Sequence, residues 1–367
     1  MMSDLSIFAT RVADFIAICA SDFSSDHRDH PDFRAHADVE FNGMALMLFT
    51  LQFEQNPAYR KLCEARKISP SSVTHWTQIP AVPTLAFKEL ELTALPPEQR
   101  TRVFYSSRTT GQTPGRHFHC AESLRIYEAS LLAWFWFHVP PGKDLAFLTP
   151  PPNAAPNSSL VHMFEEIRRD CRAPERSFLG ALAGDGSWVL DFDATLGALE
   201  NAVRSNKSII VLGTAFSFVH LLDYLAEKNL RLKLPADSRV METGGYKNHS
   251  RSMPKAELHA LISDRLGVPA SHIFCEYGMS ELSSQAYDVG NRQFLFPPWV
   301  RAQIISPETG REVLDGETGL LRIFDLANTF SVMAIQTEDL AIRRGDGFEL
   351  IGRAESAEPR GCSLMTI

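Results

Sequence analysis

Between residues 100 and 295, short apolar runs alternate with longer amphipathic segments, and this alternation limits the possible folds more than any other feature of the sequence. Each apolar run has the length of a buried strand, and each following segment has the periodicity of a helix that covers a sheet. Three such pairs occur, at 145–149 and 160–169, at 208–212 and 216–228, and at 239–242 and 255–266. Because helices are the usual crossovers between parallel strands, the pattern predicts an α/β fold with mostly parallel sheets and flanking helices.

The two ends of the chain have different patterns and predict separate regions. Apolar residues at helical spacing over 5–20 and 41–53 predict helices near the N-terminus. Shorter segments separated by turn signals predict antiparallel strands at 300–306, 319–325, 339–343 and 348–351. We therefore expect a helical N-terminal region that packs on the core, an α/β core, a small antiparallel β subregion and a flexible tail carrying Cys362, with bounds 1–100, 100–300, 300–353 and 354–367.

Composition and charge argue against several classes of protein. The chain has 36 basic and 44 acidic residues, a net charge of −8 and no long run of Lys or Arg, so we expect no nucleic-acid partner. No apolar stretch approaches the roughly 20 residues that span a bilayer. The N-terminus lacks the features of a signal peptide, and the six cysteines are widely spaced with no CxxC pair. We expect a cytoplasmic protein with reduced thiols, and the cysteine spacing predicts neither a disulfide framework nor a zinc site.

Two segments have the residue types of a phosphate or nucleotide site. The loop 106–116 is dense in hydroxyls and glycines, whose hydroxyl and backbone N–H groups could donate to phosphate oxygens, and Arg116 could add positive charge. Gly244 and Gly245 follow a strand-like run, and the absence of side chains there would let a flat ring lie against the backbone. Taken alone, each segment is more typical of an ordinary polar loop or turn.

Two further segments carry charged side chains. A carboxylate within 276–281 could hold Mg²⁺ beside a phosphate. Asp339, expected at the start of a strand, could accept hydrogen bonds from ribose hydroxyls, and Arg353 could pair with phosphate. These segments are also compatible with a surface turn and surface strand ends.

The order and spacing of the four segments together resemble the adenylate-forming superfamily of acyl- and aryl-CoA ligases. The resemblance is closer to one branch, the LuxE-type acyl-protein synthetases, and extends from about residue 40 to the C-terminus. The segments that carry it are 79–83 with 87–88, 157–161, 212–216, 242–247, 274–282 and 360–362. The resemblance implies the large-domain fold of adenylate-forming enzymes without their usual C-terminal lid domain.

The resemblance also implies roles for individual residues. Those expected to bind the phosphates, adenine and ribose of ATP are Ser107, Thr109, Thr110, Gly111, Arg116, Gly244, Gly245, Tyr277, Asp339 and Arg353. Those expected to line the acyl pocket are Gly213, Thr214, Ala215 and Phe216. Glu281 would hold Mg²⁺ and Cys362 would accept the acyl group. His162 lies in a segment that lines the active site in the family, where a general-base or pocket role competes with a purely structural one.

The implied activity is that of an acyl-protein synthetase. ATP and Mg²⁺ would serve to convert a fatty or aromatic acid to acyl-AMP, and a thioester on Cys362 would then deliver the acyl group to a protein or carrier thiol. The implied acceptor is an acyl carrier protein or a reductase.

One departure from the superfamily pattern supports an alternative. Arg108 stands where the phosphate loop usually has glycine, which allows close approach of the backbone to phosphate. The alternative is an ATP-independent transacylase that takes an acyl or aryl group from a CoA thioester, through Cys362, to an acyl carrier protein. A second alternative is a non-catalytic binding subunit that retains only the pocket.

Overall fold

A computed structural model describes residues 3–22, 31–106, 113–244, 253–288, 290 and 292–354, without the side chains of 22 and 31–37. The described residues divide into two compact units. The first unit draws on Met1–Phe137, Met279–Gln285 and Gln293–Ile367, and the second on His138–Gly278 and Ala286–Arg292.

The elements are numbered here in chain order. The α-helices are α1 Asp4–Asp22, α2 Pro31–Gln55, α3 Pro57–Ala65, α4 Ala86–Glu89, α5 Ala121–His138, α6 Ser159–Asp170, α7 Phe192–Ser205, α8 Ala215–Glu227 and α9 Lys255–Leu266. The strands are β1 Val82–Pro83, β2 Arg102–Tyr105, β3 Arg116–His119, β4 Asp144–Phe147, β5 Gly180–Leu182, β6 Trp188–Leu190, β7 Ile209–Thr214, β8 Arg239–Thr243, β9 Ile273–Tyr277, β10 Ala286–Asp288, β11 Val300–Ile305, β12 Thr318–Asp325, β13 Ala334–Arg344 and β14 Gly347–Arg353. Short 3₁₀ helices lie at Pro70–Ser72, Trp76–Gln78, Pro97–Gln99, Glu175–Ser177 and Ala270–His272.

The second unit is built on a five-stranded sheet in the order β10-β9-β8-β7-β4. Strands β4, β7, β8 and β9 are parallel, and β10 is the antiparallel edge strand. Alternate residues of β7 and β8, such as Val211 and Val240, pack with Phe218 of α8 and Ile262 of α9 in one buried core. The predicted parallel sheet with flanking helices is confirmed, and its carboxyl ends lie side by side.

Capping residues set the helix ends in this unit. The side chain of Ser158 accepts a hydrogen bond from the backbone N–H of Val161 at the start of α6, and Thr214 caps α8 in the same way. Gly267 ends α9 with a φ of 68°, in the left-handed region that favours glycine. These caps fix where each helix begins or ends relative to its neighbouring strand.

The first unit contains the antiparallel region predicted near the C-terminus. Strands β11, β12, β13 and β14 are antiparallel to their neighbours, and the short strand β1 adds to β13 in parallel. The expectation that Asp339 starts a strand is wrong, because β13 begins at Ala334 and Asp339 lies within it. Polar residues before Asp339 hid the strand in the sequence, but β13 is central in its sheet and backbone pairing on both sides extends it.

Strands β2 and β3 form an antiparallel hairpin in the first unit. The predicted phosphate loop connects these strands, and Arg116, the last residue of that loop, is the first residue of β3. Among the described residues, no helix combines the length and apolar character needed to cross a membrane.

Candidate active site

Glu281 is a buried carboxylate in the first unit, with only 6% of its surface exposed. The hydroxyl of Ser280 donates to its Oε2 at 3.4 Å. Burial raises the pKa of the Glu281 carboxyl, whereas hydrogen bonds from its own backbone and from Ser280, and the positive charges of Arg353 and Lys88, act in the opposite direction. A buried acidic group that faces positive charge from two elements is well placed to interact with a cation or with a charged ligand.

The backbone around Glu281 is held by two buried side chains. The amide of Asn328 donates from Nδ2 to the carbonyl of Glu281 at 2.8 Å, and His117 donates from Nδ1 to the carbonyl of Ser280 at 2.8 Å. Burial lowers the pKa of His117 to about 4, so its ring is neutral near pH 7. The hydrogen bond from His117 therefore positions the Ser280–Glu281 peptide.

Asp325 holds the residues that come just after Glu281 in the sequence. This fully buried carboxylate accepts hydrogen bonds from the backbone N–H of Ser283 at 2.9 Å, the hydroxyl of Ser284 at 2.8 Å and the backbone N–H of Ala327 at 2.9 Å. Burial raises its pKa to about 6, and the hydrogen bonds oppose that effect. Asp325 was not among the predicted site residues, because its partners Ser283 and Ser284 lie about 40 positions away in the sequence.

The predicted phosphate loop begins and ends beside Glu281. Gly115 donates from its backbone N–H to the hydroxyl of Ser106 at 2.7 Å, and the N–H of Ser106 donates to the carbonyl of Gly115 at 3.0 Å. A Cβ at Gly115 would stand 2.9 Å from Oε1 of Glu281, closer than real contacts allow, so glycine lets the loop end approach the carboxylate. Residues 107–112, which include Ser107, Thr109, Thr110 and Gly111, lie outside the described residues.

The Arg116 side chain takes part in an ion pair with Glu91. Its Nη1 lies 3.4 Å from Oε1 of Glu91, whose Oε2 lies 2.7 Å from Nη1 of Arg100. The guanidinium of Arg116 also lies 5.8 Å from the centre of the Phe118 ring. The structure therefore places this predicted phosphate-binding charge in contact with an acidic side chain.

Asp339 and Arg353 face each other across β13 and β14. They are register partners, and Nε of Arg353 lies 3.4 Å from Oδ1 of Asp339. The Asp339 carboxylate is nearly buried, whereas 74% of the Arg353 side chain is exposed. An ion pair with one exposed partner contributes little to stability.

In the second unit, the carboxyl ends of the central strands carry the other predicted residues. Gly244 follows β8 with a φ of 69°, a conformation that favours glycine, and no described heavy atom lies within 4 Å of where its Cβ would stand. Tyr277 ends β9 and is 8% exposed. Gly245 lies outside the described residues. This is the edge at which open α/β sheets bind ligands.

The predicted acyl-pocket residues form the turn from β7 into α8. Gly213 packs so closely on Leu148 that a Cβ would stand 2.8 Å from the Leu148 Cβ. Thr214 caps α8, Ala215 is buried, and half-buried Phe216 contacts the ring of His220 with centroids 4.4 Å apart. Part of this segment therefore serves the packing of the sheet and helix.

The two residues assigned to acyl transfer differ in what the structure describes. His162 is half-buried in the first turn of α6, in the second unit. Cys362 lies outside the described residues. Glu281, Asp339, Arg353 and Arg116 thus belong to the first unit, and the remaining described residues belong to the second.

Glu276 is a candidate functional residue that the sequence did not single out. It is 7% exposed at the end of β9, and the hydroxyl of Thr243, its register partner on β8, donates to its carboxylate. Burial raises the pKa of Glu276 to about 7; the Thr243 hydrogen bond opposes the shift and the negative charge of Glu242 adds to it. The contacts that mark Glu276 depend on strand register, which a single sequence does not reveal.

Replacing Glu276 with Gln should remove a pH dependence of stability. Because the folded protein holds this proton up to about pH 7 and the unfolded chain releases it near the usual 4.5, the free energy of unfolding should fall by about 3 kcal/mol as pH rises through that window. Glu276→Gln stays neutral, so urea unfolding at several pH values should show it gaining stability over wild type between pH 4.5 and 8.

A matched control with the opposite sign is Glu165→Gln. Hydrogen bonding to Arg168 lowers the pKa of Glu165, so that carboxylate stabilises the fold at neutral pH and loses its effect on acidification. Glu165→Gln should therefore lose stability relative to wild type as pH rises. If the difference in unfolding free energy between wild type and Glu276→Gln does not change with pH, the raised pKa of Glu276 is contradicted.

The sequence of residues 177–366 matches the family model described as acyl-protein synthetase, LuxE, which is 190 of the 367 residues. Both Glu281 and Cys362 fall within this match. The chain is 26% identical over 338 residues to the long-chain-fatty-acid–luciferin-component ligase of Aliivibrio fischeri, covering 86% of this chain and 85% of that one.

The fold is shared with solved ligase structures. The structure is similar to 2-hydroxyisobutyryl-CoA ligase in complex with 2-HIB-AMP and CoA, with a TM-score of 0.68, 16% identity and coverage of 88% of this chain and 69% of that one. ATP-bound MatB from Rhodopseudomonas palustris is similar with a TM-score of 0.50, 15% identity and coverage of 71% and 49%. The predicted large-domain fold of adenylate-forming enzymes is confirmed.

Proposed function

The chain belongs to the LuxE acyl-protein synthetase family, and on this premise we propose that it is an acyl-activating ligase that forms acyl-AMP and passes the acyl group through Cys362 to a protein or carrier thiol. In the first step, a carboxylate oxygen of the acid attacks the α-phosphorus of ATP and pyrophosphate leaves. In the second, the Cys362 thiolate attacks the acyl carbon and AMP leaves. The acyl group then moves by thioester exchange to the acceptor.

The observation that carries this proposal is the buried Glu281 carboxylate at the ends of the Ser- and Thr-rich loop. Its oxygens are hard donors, and one carboxylate beside phosphate oxygens is the usual protein contribution to Mg²⁺ binding. Burial raises the pKa of Glu281 because it disfavours the ionised carboxylate, and a bound cation would offset this unfavourable effect. These residues fit Mg²⁺, which when bound would neutralise charge on the phosphates.

The other residues have proposed roles that follow from the family motifs. Backbone and hydroxyl groups of the loop position the phosphates, with Ser107, Thr109, Thr110, Gly111 and Arg116 as donors. Gly244, Gly245 and Tyr277 bind adenine, Asp339 accepts from the ribose hydroxyls, and Arg353 supports it. The acyl chain contacts Gly213, Thr214, Ala215, Phe216 and His162. The acceptor is an acyl carrier protein or a reductase.

A second candidate function rests on Arg108 in place of the usual loop glycine. In this alternative, the Cys362 thiolate attacks the thioester carbon of an acyl- or aryl-CoA, CoA leaves as the thiol, and the acyl group passes to an acyl carrier protein. Neither ATP nor Mg²⁺ takes part.

One experiment with two arms separates these functions. The full chain receives ATP, Mg²⁺ and a panel of fatty and aromatic acids while pyrophosphate release is followed, and a second sample receives acyl-CoA without ATP. Intact mass spectrometry detects acyl adducts in both arms. Pyrophosphate release with an ATP-dependent adduct supports the synthetase, and an adduct from acyl-CoA alone supports the transacylase. No pyrophosphate and no adduct would refute both and leave the non-catalytic binding subunit.

A further inference from the structure

Three potential metal ligands converge in the second unit on residues to which the proposed function assigns no role. Glu242 on β8 and Cys275 on β9 are register partners in the parallel sheet, and His259 lies on α9. Because side chains alternate along a strand, these three donors share the α9 face of the sheet, whereas Thr243 and Glu276 occupy the opposite face. The cluster is thus separate from the Thr243–Glu276 pair one residue further along each strand.

The donor atoms have the spacing of a metal-binding triangle. Sγ of Cys275 lies 2.9 Å from Oε1 of Glu242 and 3.7 Å from Nε2 of His259, and that Nε2 lies 3.5 Å from the same Oε1. Ligands of a tetrahedral zinc ion, bound at about 2.0–2.3 Å, are separated by about 3.3–3.6 Å. Two edges already have about this length, and the shortest is a thiol–carboxylate hydrogen bond that would lengthen when the thiol loses its proton.

Burial and charge favour a divalent cation at this point. Glu242 is 6% exposed and Cys275 is 3% exposed, so both donor groups are largely screened from water. A divalent cation would balance one thiolate and one carboxylate. Lys255 lies beside the cluster, where it hydrogen-bonds to Cys275 and pairs with Asp288 at 3.0 Å, so a metal ion at this point would take the place of the Lys255 contact with the thiol. Thiolate, imidazole and carboxylate are the donor types that zinc binds.

The arrangement does not suit a cysteine nucleophile. A Cys–His–Glu triad needs the carboxylate on the imidazole nitrogen opposite the one that faces the thiol. Here Glu242 and Cys275 both approach Nε2 of His259. Convergence of three donors on one point is instead the arrangement that a metal requires.

We propose that Glu242, His259 and Cys275 bind one divalent metal ion of the zinc class, with solvent completing the coordination. The metal ties β8, β9 and α9 together just before the strand ends at Thr243 and Tyr277. Binding releases the Cys275 proton to solvent and involves no redox change. The site does not depend on the activity proposed above.

Metal binding to the full chain tests the proposal without any assay of activity. Chelator-treated protein is titrated with Co²⁺, and with Zn²⁺ against a chromophoric chelator. Wild type should bind one equivalent and show the near-ultraviolet thiolate-to-Co²⁺ charge-transfer band. Cys275→Ser should lose the band, and its Zn²⁺ affinity should fall at least about tenfold. Cys171→Ser, a half-buried cysteine outside the cluster, should behave as wild type.

Variants that keep the fold make the test decisive. His259 has 20% of its side chain exposed, so His259→Gln should fold normally. Its affinity for Zn²⁺ should be at least about tenfold lower than that of wild type. At the same Zn²⁺ concentration, the melting temperature of wild type should rise by more than that of His259→Gln. Absence of a charge-transfer band in wild type, less than half an equivalent bound, or unchanged affinity in His259→Gln would overturn the proposal.

Discussion

Glu281→Gln should reduce ATP-dependent pyrophosphate release by at least about 100-fold. The change keeps the shape of the side chain and removes the negative charge that we propose holds Mg²⁺. Because Glu281 is buried with a raised pKa, its neutral replacement should not destabilise the fold by loss of charge. Pyrophosphate release measured over a range of Mg²⁺ concentrations checks this, and partial recovery at high Mg²⁺ would identify metal binding as the lost step.

The control for this variant is Glu312→Gln. Glu312 is an exposed carboxylate of the same unit whose Oε1 lies 3.3 Å from Nη1 of Arg343, and it has no proposed role in the reaction. Its variant should keep wild-type pyrophosphate release. If Glu281→Gln retains full activity at every Mg²⁺ concentration, Glu281 is not the metal ligand. If acylation from acyl-CoA is lost together with it, the defect lies outside adenylation.

Cys362→Ala should abolish the covalent acyl adduct and reduce acyl transfer to an acceptor thiol by at least about 1000-fold. Alanine cannot form a thioester, whereas the adenylation step uses other residues. A single turnover of pyrophosphate release should therefore survive in the variant. Intact mass spectrometry after incubation with ATP, Mg²⁺ and acid measures the adduct, and rapid-quench sampling measures the pyrophosphate.

Cys171→Ala is the control for the loss of a thiol, since Cys171 is half-buried at the end of α6 and has no role in the proposal. It should retain the adduct. An adduct of full stoichiometry in Cys362→Ala would assign the acyl group to another residue. Cys275, buried beside Glu242 with a raised thiol pKa, is a poor candidate for that role.

The periodicity of the sequence predicted the elements that are determined locally. Each strand–helix pair of the parallel sheet was visible because its hydrophobic pattern changes from strand-like to helix-like over a few residues. The start of β13 was not visible, since Gln336, Thr337 and Glu338 look polar in isolation. That strand is extended by pairing with β1, from a segment about 250 residues earlier in the chain.

The candidate site was likewise predictable only where it depends on residues that are close in the sequence. The motif containing Glu281 could be predicted from its neighbours in the sequence, and its burial could not. The approach of Gly115 to Glu281 and the anchoring by Asp325 each join segments more than 40 residues apart. Likewise, Glu242 and Cys275 meet only because β8 and β9 pair in one register. Spacing rules for metal ligands therefore gave no signal in this chain.

The alternation of faces along β8 and β9 also restricts which insertions and deletions the chain can accept. Deleting one residue within β9 would slide Glu276 into the place of Cys275 and turn the thiol away from His259, so that both sides of the sheet would lose their partners at once. Changes of length in loops remote from these strands carry no such penalty. Homologues should therefore vary in length freely around this strand pair and hardly at all within it.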